Sequence, residues 1–366
     1  MKTYKFKLKL TKTQEKTCES WVNSCRNLYN LALSERIMVY EMRKKSVSKY
    51  DQYNQLPLLK QQFPWFGEVY SDTIQEVLDR LEKTYQNFFR GGGFPKFSKK
   101  GEYNSFTFKR SFKVNTKTIK LPKIGEVKYF NSRDIIGKTK TATIIKEDTG
   151  WFICITSEYE TSFETIEIDN QNPIGCDMGG IRFLALSNNT FIDSPEFLKP
   201  FKNELRLLQR KLVRQKKGSK SREKTKQKIR KINKKISNQR IDFLHKISTA
   251  LSNTYSAIYI EDLKLQKMQQ NGFSNINKMM SDKSFGNFKI VLTYKLKERG
   301  KHLGLVNPAY TSQTCNSCGT IDKKSRVSQA EFVCTSCGVM SNSDTNASKN
   351  ILWEGISQNT KRKALV

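Results

Sequence analysis

Seven side chains in this sequence have the type and spacing to do chemistry. Cys315-x-x-Cys318 is followed, after fifteen intervening residues, by Cys334-x-x-Cys337. Each CxxC turn lets two thiolates converge on one ion, and Gly319 and Gly338 permit the tight backbone after each pair. Four soft sulfur ligands favour tetrahedral Zn²⁺ in a closed structural site with no open position for water. An iron centre would share these ligands, and two redox pairs are the blander reading; zinc is the commoner occupant. The other three are carboxylates. Asp177 ends the apolar run Ile174-Gly175-Cys176, Glu261 ends Tyr259-Ile260, and Asp344 stands at the start of the last helical stretch. An acid at the end of an apolar strand needs compensation, such as a bound cation. Three converging carboxylates could hold two Mg²⁺ ions against a phosphodiester, one activating water and the other stabilising the leaving oxygen. Singly, each has a structural alternative: a strand-end turn for Asp177 and Glu261, an N-cap for Asp344.

The rest of the composition says what those sites would act on. Of 366 residues, 66 are Lys or Arg and 34 Asp or Glu, a net charge of +32. Such a body repels itself unless a polyanion neutralises it, and nucleic acid is the first expectation. An anionic membrane is the second, and it weakens because no run of about 18 apolar residues is present. The start, Met1 to Lys7, alternates instead of opening into an apolar signal core. Cys18, Cys25, Cys154 and Cys176 sit among apolar residues and read as reduced packing residues, which suits a cytosol. His245 and His302 are the only histidines, leaving little room for histidine chemistry.

The elements that must position these residues follow from periodicity. Residues 4–10 place Tyr4, Phe6, Leu8 and Leu10 on one face and Lys5, Lys7 and Lys9 on the other, a strand with a cationic outer face. Thr11 to Gln14 has capping-box spacing, opening a helix with Trp21, Cys25, Leu28 and Ala32 on one side. Pro57 and Pro64 punctuate a second helical stretch, and Ser71 or Asp72 is the expected cap of a third, ended by Gly91-Gly92-Gly93. Short strands between 103 and 160 then suit a small β-barrel, with the first strand joined to it and the helices of 11–95 inserted. The expected barrel is 1–10 and 96–170.

Strands at 174–176, 182–186 and 190–192 come next. Residues 199–246 carry 19 Lys or Arg against three acids. Leu205, Leu208, Leu212, Ile229, Ile232 and Ile236 keep helical spacing on either side of Gly218-Ser219, so two long basic helices are expected. A solvated charged pair is the bland reading; the surplus along one seam favours a phosphate-facing surface. The candidate contacts are Arg206, Arg210, Arg214, Lys217, Arg222, Arg230, Lys234 and Arg240, with Lys5, Lys7 and Lys9 on the first strand. A strand at 254–262, a helix at 284–299, a strand at 303–306 and a last helix from 344 complete the chain.

At these residues the sequence resembles the TnpB family of transposon-encoded RNA-guided DNA endonucleases, related to the type V CRISPR effectors. The resemblance rests on Gly175-Cys176-Asp177-Met178-Gly179, Ile260-Glu261-Asp262-Leu263, Tyr310 to Cys315, the four cysteines, and Asp344-x-Asn346-Ala347 leading to Asn350-Ile351-Leu352. Weaker matches are Phe63-Pro64-Trp65, Phe89-Arg90 with Gly93 to Phe97, and Arg240-x-Asp242 to Lys246. It departs at Gly180-Ile181, Ala330-Glu331 and Ser343, none of them a metal ligand.

The resemblance implies an α/β multidomain protein. A ribonuclease-H-like RuvC core would span 171–309 and 341–366, with a zinc ribbon at 310–340 inserted in it. The β-barrel would be a wedge domain and 11–95 its recognition lobe. Asp177, Glu261 and Asp344 would hold two catalytic Mg²⁺ ions, beside a structural Zn²⁺. The partners would be a guide RNA from the transposon end and double-stranded DNA, read next to a short flanking motif. A bacterial or mobile-element origin and a cytoplasmic, nucleoid-associated location follow. Two other functions fit parts of the sequence: a nuclease-inactive guide-binding regulator, and a guide-independent transposase or resolvase.

Overall fold

The computed structural model describes residues 1–159, 169, 171–179, 182–263, 284–328 and 330–363. Gly180-Ile181, where the sequence departs from the family pattern, and the end of the expected barrel segment lie outside the described residues. The chain divides into two units, Met1–Glu160 and Thr161–Val366.

In the first unit, β1 (Lys2–Lys9) alternates as its sequence requires: Tyr4, Phe6 and Leu8 are buried while Lys5, Lys7 and Lys9 face outward. Thr11 caps α1 (Lys12–Arg43) with the full reciprocal box, Gln14 N donating to Thr11 Oγ1 at 3.2 Å and Thr11 N to Gln14 Oε1 at 3.1 Å. Its stripe of Trp21, Cys25, Leu28 and Ala32 is buried. Pro57 lies inside α2 (Lys49–Gln62), and Pro64 opens α3 (Pro64–Glu68), where a missing N–H costs nothing. In α4 (Ser71–Phe89), Ile74, Val77, Leu78 and Leu81 are buried. The expected Ser71 or Asp72 cap is corrected: the cap residue is Tyr70, with no side-chain bond. Asp72 Oδ2 instead accepts the backbone N–H groups of Lys109 and Arg110, at 2.8 and 3.1 Å.

Six more strands follow: β2 (Ser105–Phe108), β3 (Lys113–Val114), β4 (Thr118–Leu121), β5 (Gly125–Tyr129), β6 (Lys138–Glu147) and β7 (Gly150–Glu158). With β1 they make one antiparallel sheet in the order β2-β6-β7-β1-β5-β4-β3. β1 is thus central, joining the chain start to the later strands. Where a closed barrel was expected, β2 and β3 end the order and share no ladder among the described residues.

The second unit has a five-stranded sheet. Its strands are β8 (Pro173–Asp177), β9 (Arg182–Leu186), β10 (Phe191–Asp193), β11 (Ala257–Glu261) and β12 (His302–Val306), in the order β10-β9-β8-β11-β12. β8, β11 and β12 run parallel; β9 is antiparallel to β8 and β10 to β9, so β9 alone runs against the other four. Between β10 and β11 stand α5 (Lys202–Arg214) and α6 (Lys220–Thr254), joined through Gly218 with φ 85° and capped by Ser219. α7 (Phe285–Lys297) precedes β12, and the short hairpin β13 (Glu331–Val333) and β14 (Met340–Asn342) precedes α8 (Ser343–Lys363). Leu244 and Leu251 of α6, with Phe288 and Leu292 of α7, cover one face of the sheet over Ile174, Cys176, Ile258 and Ile260. Ile351, Leu352 and Ile356 of α8 cover the other, over Ala257 and Tyr259. No helix among the described residues is long and apolar enough to cross a membrane.

Candidate metal centres and nucleic-acid interface

Strand alternation puts the acids on one side. Side chains two apart share a face, so Asp177 falls with Gly175, and Glu261 with Ala257 and Tyr259, on the side that α8 covers. β8 and β11 are parallel neighbours with Cys176 opposite Ile260, so Asp177 and Glu261 end adjacent strands at the same level. Gly175 is the reason α8 can come so close. A Cβ there would stand 2.1 Å from the Ser348 carbonyl oxygen and 2.7 Å from the Leu352 nitrogen. The helix start is set by Asn342, whose Oδ1 accepts the amides of Asp344 and Thr345 at 3.0 and 3.2 Å. Asn342, not Asp344, therefore does the capping, and the N-cap alternative for Asp344 is corrected. Asp344 Oδ2 lies 3.8 Å from the position a Cβ would take on Gly179, two residues beyond Asp177.

The three carboxylates act on one another. Burial, then the charges of Glu261 and Asp344, push the Asp177 carboxyl up to about 7, against the pull of Arg326 and a Met178 amide. Burial also raises Glu261, while the Thr311 hydroxyl and Arg326 hold it down. Thr311 Oγ1 donates to Glu261 Oε1 at 2.5 Å. A half-buried, all-oxygen cluster that resists full ionisation is what a divalent cation relieves, and its hard donors fit Mg²⁺. The acids are near enough to couple, yet among the described residues only the four cysteines bring their ligand atoms within 4.8 Å of one another.

Those cysteines fit zinc closely. Cys315 and Cys337 Sγ atoms are 3.7 Å apart, and those of Cys318 and Cys334 are 3.6 Å apart. Tetrahedral Zn–S bonds of about 2.3 Å require S–S separations of about 3.8 Å. After each pair the glycine takes a positive φ, 75° at Gly319 and 69° at Gly338, and donates its N–H to the Cys315 or Cys334 carbonyl. Ser336 and Cys337 amides both reach Cys334 Sγ at 3.4 Å, and Thr320 helps hold the Cys318 thiol down to about 6. Both effects favour thiolate. Cys18, Cys25 and Cys176 are buried and Cys154 half-buried, and burial raises each thiol, as for packing residues.

Residues without a role in the sequence reading join the two centres. Asn350 Nδ2 donates to the carbonyls of Thr311 and Thr314 at 2.9 and 2.7 Å. Asn346 Nδ2 reaches the Thr314 carbonyl at 2.7 Å, and its Oδ1 accepts the Asn316 amide at 3.0 Å. Ser343 Oγ donates to the Ser328 carbonyl at 3.1 Å. The four-residue spacing of Asn346 and Asn350, one helix face, was the available signal. Arg326 left none, since only the fold carries it to Asp177 and Glu261.

The expected nucleic-acid contacts divide. Arg206, Arg210 and Arg214 recur every four residues along α5, exposed, and Lys217 is exposed in the turn after it. Arg230 is exposed on α6, with Lys234 and Arg240 half-buried. Lys7 and Lys9 are exposed, but Lys5 pairs with Glu147 and stands 4.6 Å over the Phe152 ring. Arg222 turns its guanidinium back onto the Leu212 and Gln215 carbonyls, closing the end of α5. Lys5 and Arg222 are thus engaged within the protein.

Comparisons with known proteins come from several directions. A family profile described as a probable transposase, OrfB of IS605, matches residues 141–272, and a Cas12f1-like TNB domain profile matches 285–351. A helix-turn-helix profile matches 1–45, although those residues here form β1 and the single helix α1. The chain is 32% identical to a putative RNA-guided DNA endonuclease InsQ of Escherichia coli, covering 97% of this chain and 92% of that protein. A putative RNA-guided DNA endonuclease of Streptomyces pristinaespiralis is 28% identical, with 96% and 89% covered. A CRISPR-associated endodeoxyribonuclease Cas12f1 of Sulfoacidibacillus thermotolerans is 24% identical, with 58% and 53% covered. Aligned nearly end to end with its E. coli relative, the chain belongs to the OrfB/IS605 family of TnpB proteins.

Proposed function

We propose that this protein is a transposon-encoded RNA-guided DNA endonuclease with a ribonuclease-H-like RuvC centre at Asp177, Glu261 and Asp344. One observation carries the reading: Asp177 and Glu261 end adjacent parallel strands on the side that α8 covers, with Asp344 at that helix's start, and burial first, then the charges of Glu261 and Asp344, push the Asp177 carboxyl up to about 7. The order β10-β9-β8-β11-β12, with β9 alone running against the other four strands, suits that fold. The relatives described as RNA-guided DNA endonucleases supply the substrate class. Bound Mg²⁺ would supply a water of lowered pKa and positive charge beside the leaving oxygen. The chain's own part is positional. Thr311 orients Glu261, Asn342 sets the turn that carries Asp344, and Arg326 offsets negative charge beside Asp177 and Glu261.

On this reading, the four-cysteine module is a structural zinc ribbon that braces the centre through Asn346 and Asn350. The seven-stranded sheet corresponds to a wedge domain, and residues 11–95 to a recognition lobe. A guide RNA from the transposon end would supply sequence choice, with the exposed cations of α5 and α6 meeting phosphates. Asp177→Ala is expected to abolish Mg²⁺-dependent cleavage of a guide-matched plasmid while RNA and DNA binding persist. Retained cleavage by the purified variant would sink the assignment. If wild-type protein occupies the target without nicking it, the regulator is the correct function.

A further inference from the structure

Residues Arg90 to Lys100 hold four cations and no acid. The same stretch leaves large rings in water: Phe89 is 78% exposed and Phe97 52%. A loose loop could fold such rings away, but this one is fixed. Pro95 is buried, and the Phe94 ring lies 5.2 Å from Phe88. Asn30 on α1 makes two bonds to Ser98, its Nδ2 donating to the Ser98 carbonyl at 3.0 Å and its Oδ1 accepting the Ser98 amide at 2.8 Å. The backbone beside Phe97 is therefore pinned while the ring stays out.

Phe97 stands at a cleft of about 320 Å³ that Tyr29, Arg80, Lys96, Tyr103 and Asn104 also line. Arg80 is engaged within the fold, donating to Ser105 and Thr107, with its guanidinium 5.6 Å from the Tyr103 ring centre. It shapes the wall instead of offering a charge. Glu102, also on the lining, accepts the Lys99 amide on Oε2 at 2.9 Å, and its other oxygen repels phosphate and can accept from a hydroxyl or amino group. The chemistry is thus split: Lys96 and the Phe97 ring on the lining, the exposed Lys99 and Lys100 just beyond it along the chain, and an exposed acceptor on the other side. A duplex keeps its base faces stacked and cannot use the ring; an unpaired base can.

We propose that this cleft seats one unpaired ribonucleotide. Its base lies against Phe97, its phosphates face Lys96, Lys99 and Lys100, and its 2′-hydroxyl or a base amino group donates to Glu102. The inference rests on the reading that the protein binds RNA, and it assigns one place for that contact. The test uses the full chain with a short single-stranded RNA carrying 5-iodouridine, and the same sequence as DNA. Photocross-linking followed by peptide mapping is expected to mark Phe97 or Tyr103, with the RNA favoured over the DNA. Phe97→Ala should lose the cross-link and weaken binding of that oligonucleotide by roughly five- to a hundredfold, and Phe97→Trp should keep both. An unchanged thermal midpoint will show that the exposed substitution leaves the fold intact. Cross-links confined to other segments, or equal affinity in Phe97→Ala, would overturn the site; equal capture of DNA would overturn its ribose preference. Guide-dependent cleavage by the wild type is assayed separately, so a failed nuclease with an intact Phe97 cross-link counts only against the nuclease.

Discussion

Thr311 Oγ1 donates to Glu261 Oε1 at 2.5 Å, so the loop that leads into the cysteine cluster also holds the acid at the end of β11. Removing that hydroxyl with Thr311→Val takes away one of the two influences that hold Glu261 down. A hydrogen bond to a charged group contributes about 1.5–3 kcal/mol. Cleavage is expected to fall by about tenfold or more, with the acid limb of the pH–rate profile displaced upward. Thr311→Ser should restore both, and a profile identical to wild type would separate Thr311 from the chemistry.

Asp177 makes stability and metal binding depend on pH. Its folded-state value near 7 lies above the ordinary unfolded value near 3.9, so the fold gains most below about pH 4. That gain is lost as pH rises through 7, where the half-buried carboxyl must ionise beside Glu261 and Asp344. Metal-free protein is therefore expected to lose thermal stability between about pH 4 and 7, and Asp177→Asn should flatten that part of the curve. Mg²⁺ should raise the melting temperature more at pH 8 than at pH 5.5, since protons compete for the same oxygens. Equal stabilisation at both values would contradict this.

On the proposed function, loss of the four-cysteine metal site is expected to disable the three acids with it. Replacing Cys334 with Ser removes a ligand and the sulfur that two amides address. Metal analysis should show the zinc lost, and cleavage should drop by at least about a hundredfold as the Thr314 and Asn316 contacts of Asn346 loosen. Full cleavage by a zinc-free variant would show the module to be independent of the centre.

Gly175→Ala tests the packing of α8. Its methyl group would press on the Ser348 carbonyl, and backbone cannot swing aside as a long side chain can. Overpacking of this kind costs typically about 1–3 kcal/mol, read by denaturant unfolding. Activity should fall further than stability explains, because the displaced helix carries Asp344. An unchanged unfolding midpoint would mean that α8 does not sit on β8 as described.

The sequence alone carried what depends on local order. Period two in residues 4–10, the capping box of Thr11 and Gln14, and the two CxxC turns each need only neighbours along the chain, and each forms as its spacing requires. Asp177, Glu261 and Asp344 were legible as acids in unlikely places, because an ionised group at the end of an apolar strand needs a reason. Their shared face was not legible, since it depends on which strands pair, at which register, and on which side α8 lies. The Asp72 cap failed for the same reason: a backbone from 37 residues away offered better donors than its own helix. The same holds for the cations, where charge counting cannot tell Arg206, left to water, from Arg222, folded back onto carbonyls. Arg326 and Thr311 reach the acids only through the path of the chain between β12 and α8. Tertiary structure decided these contacts because long-range proximity, burial and mutual charge do not exist until the sheet and its covering helices have formed.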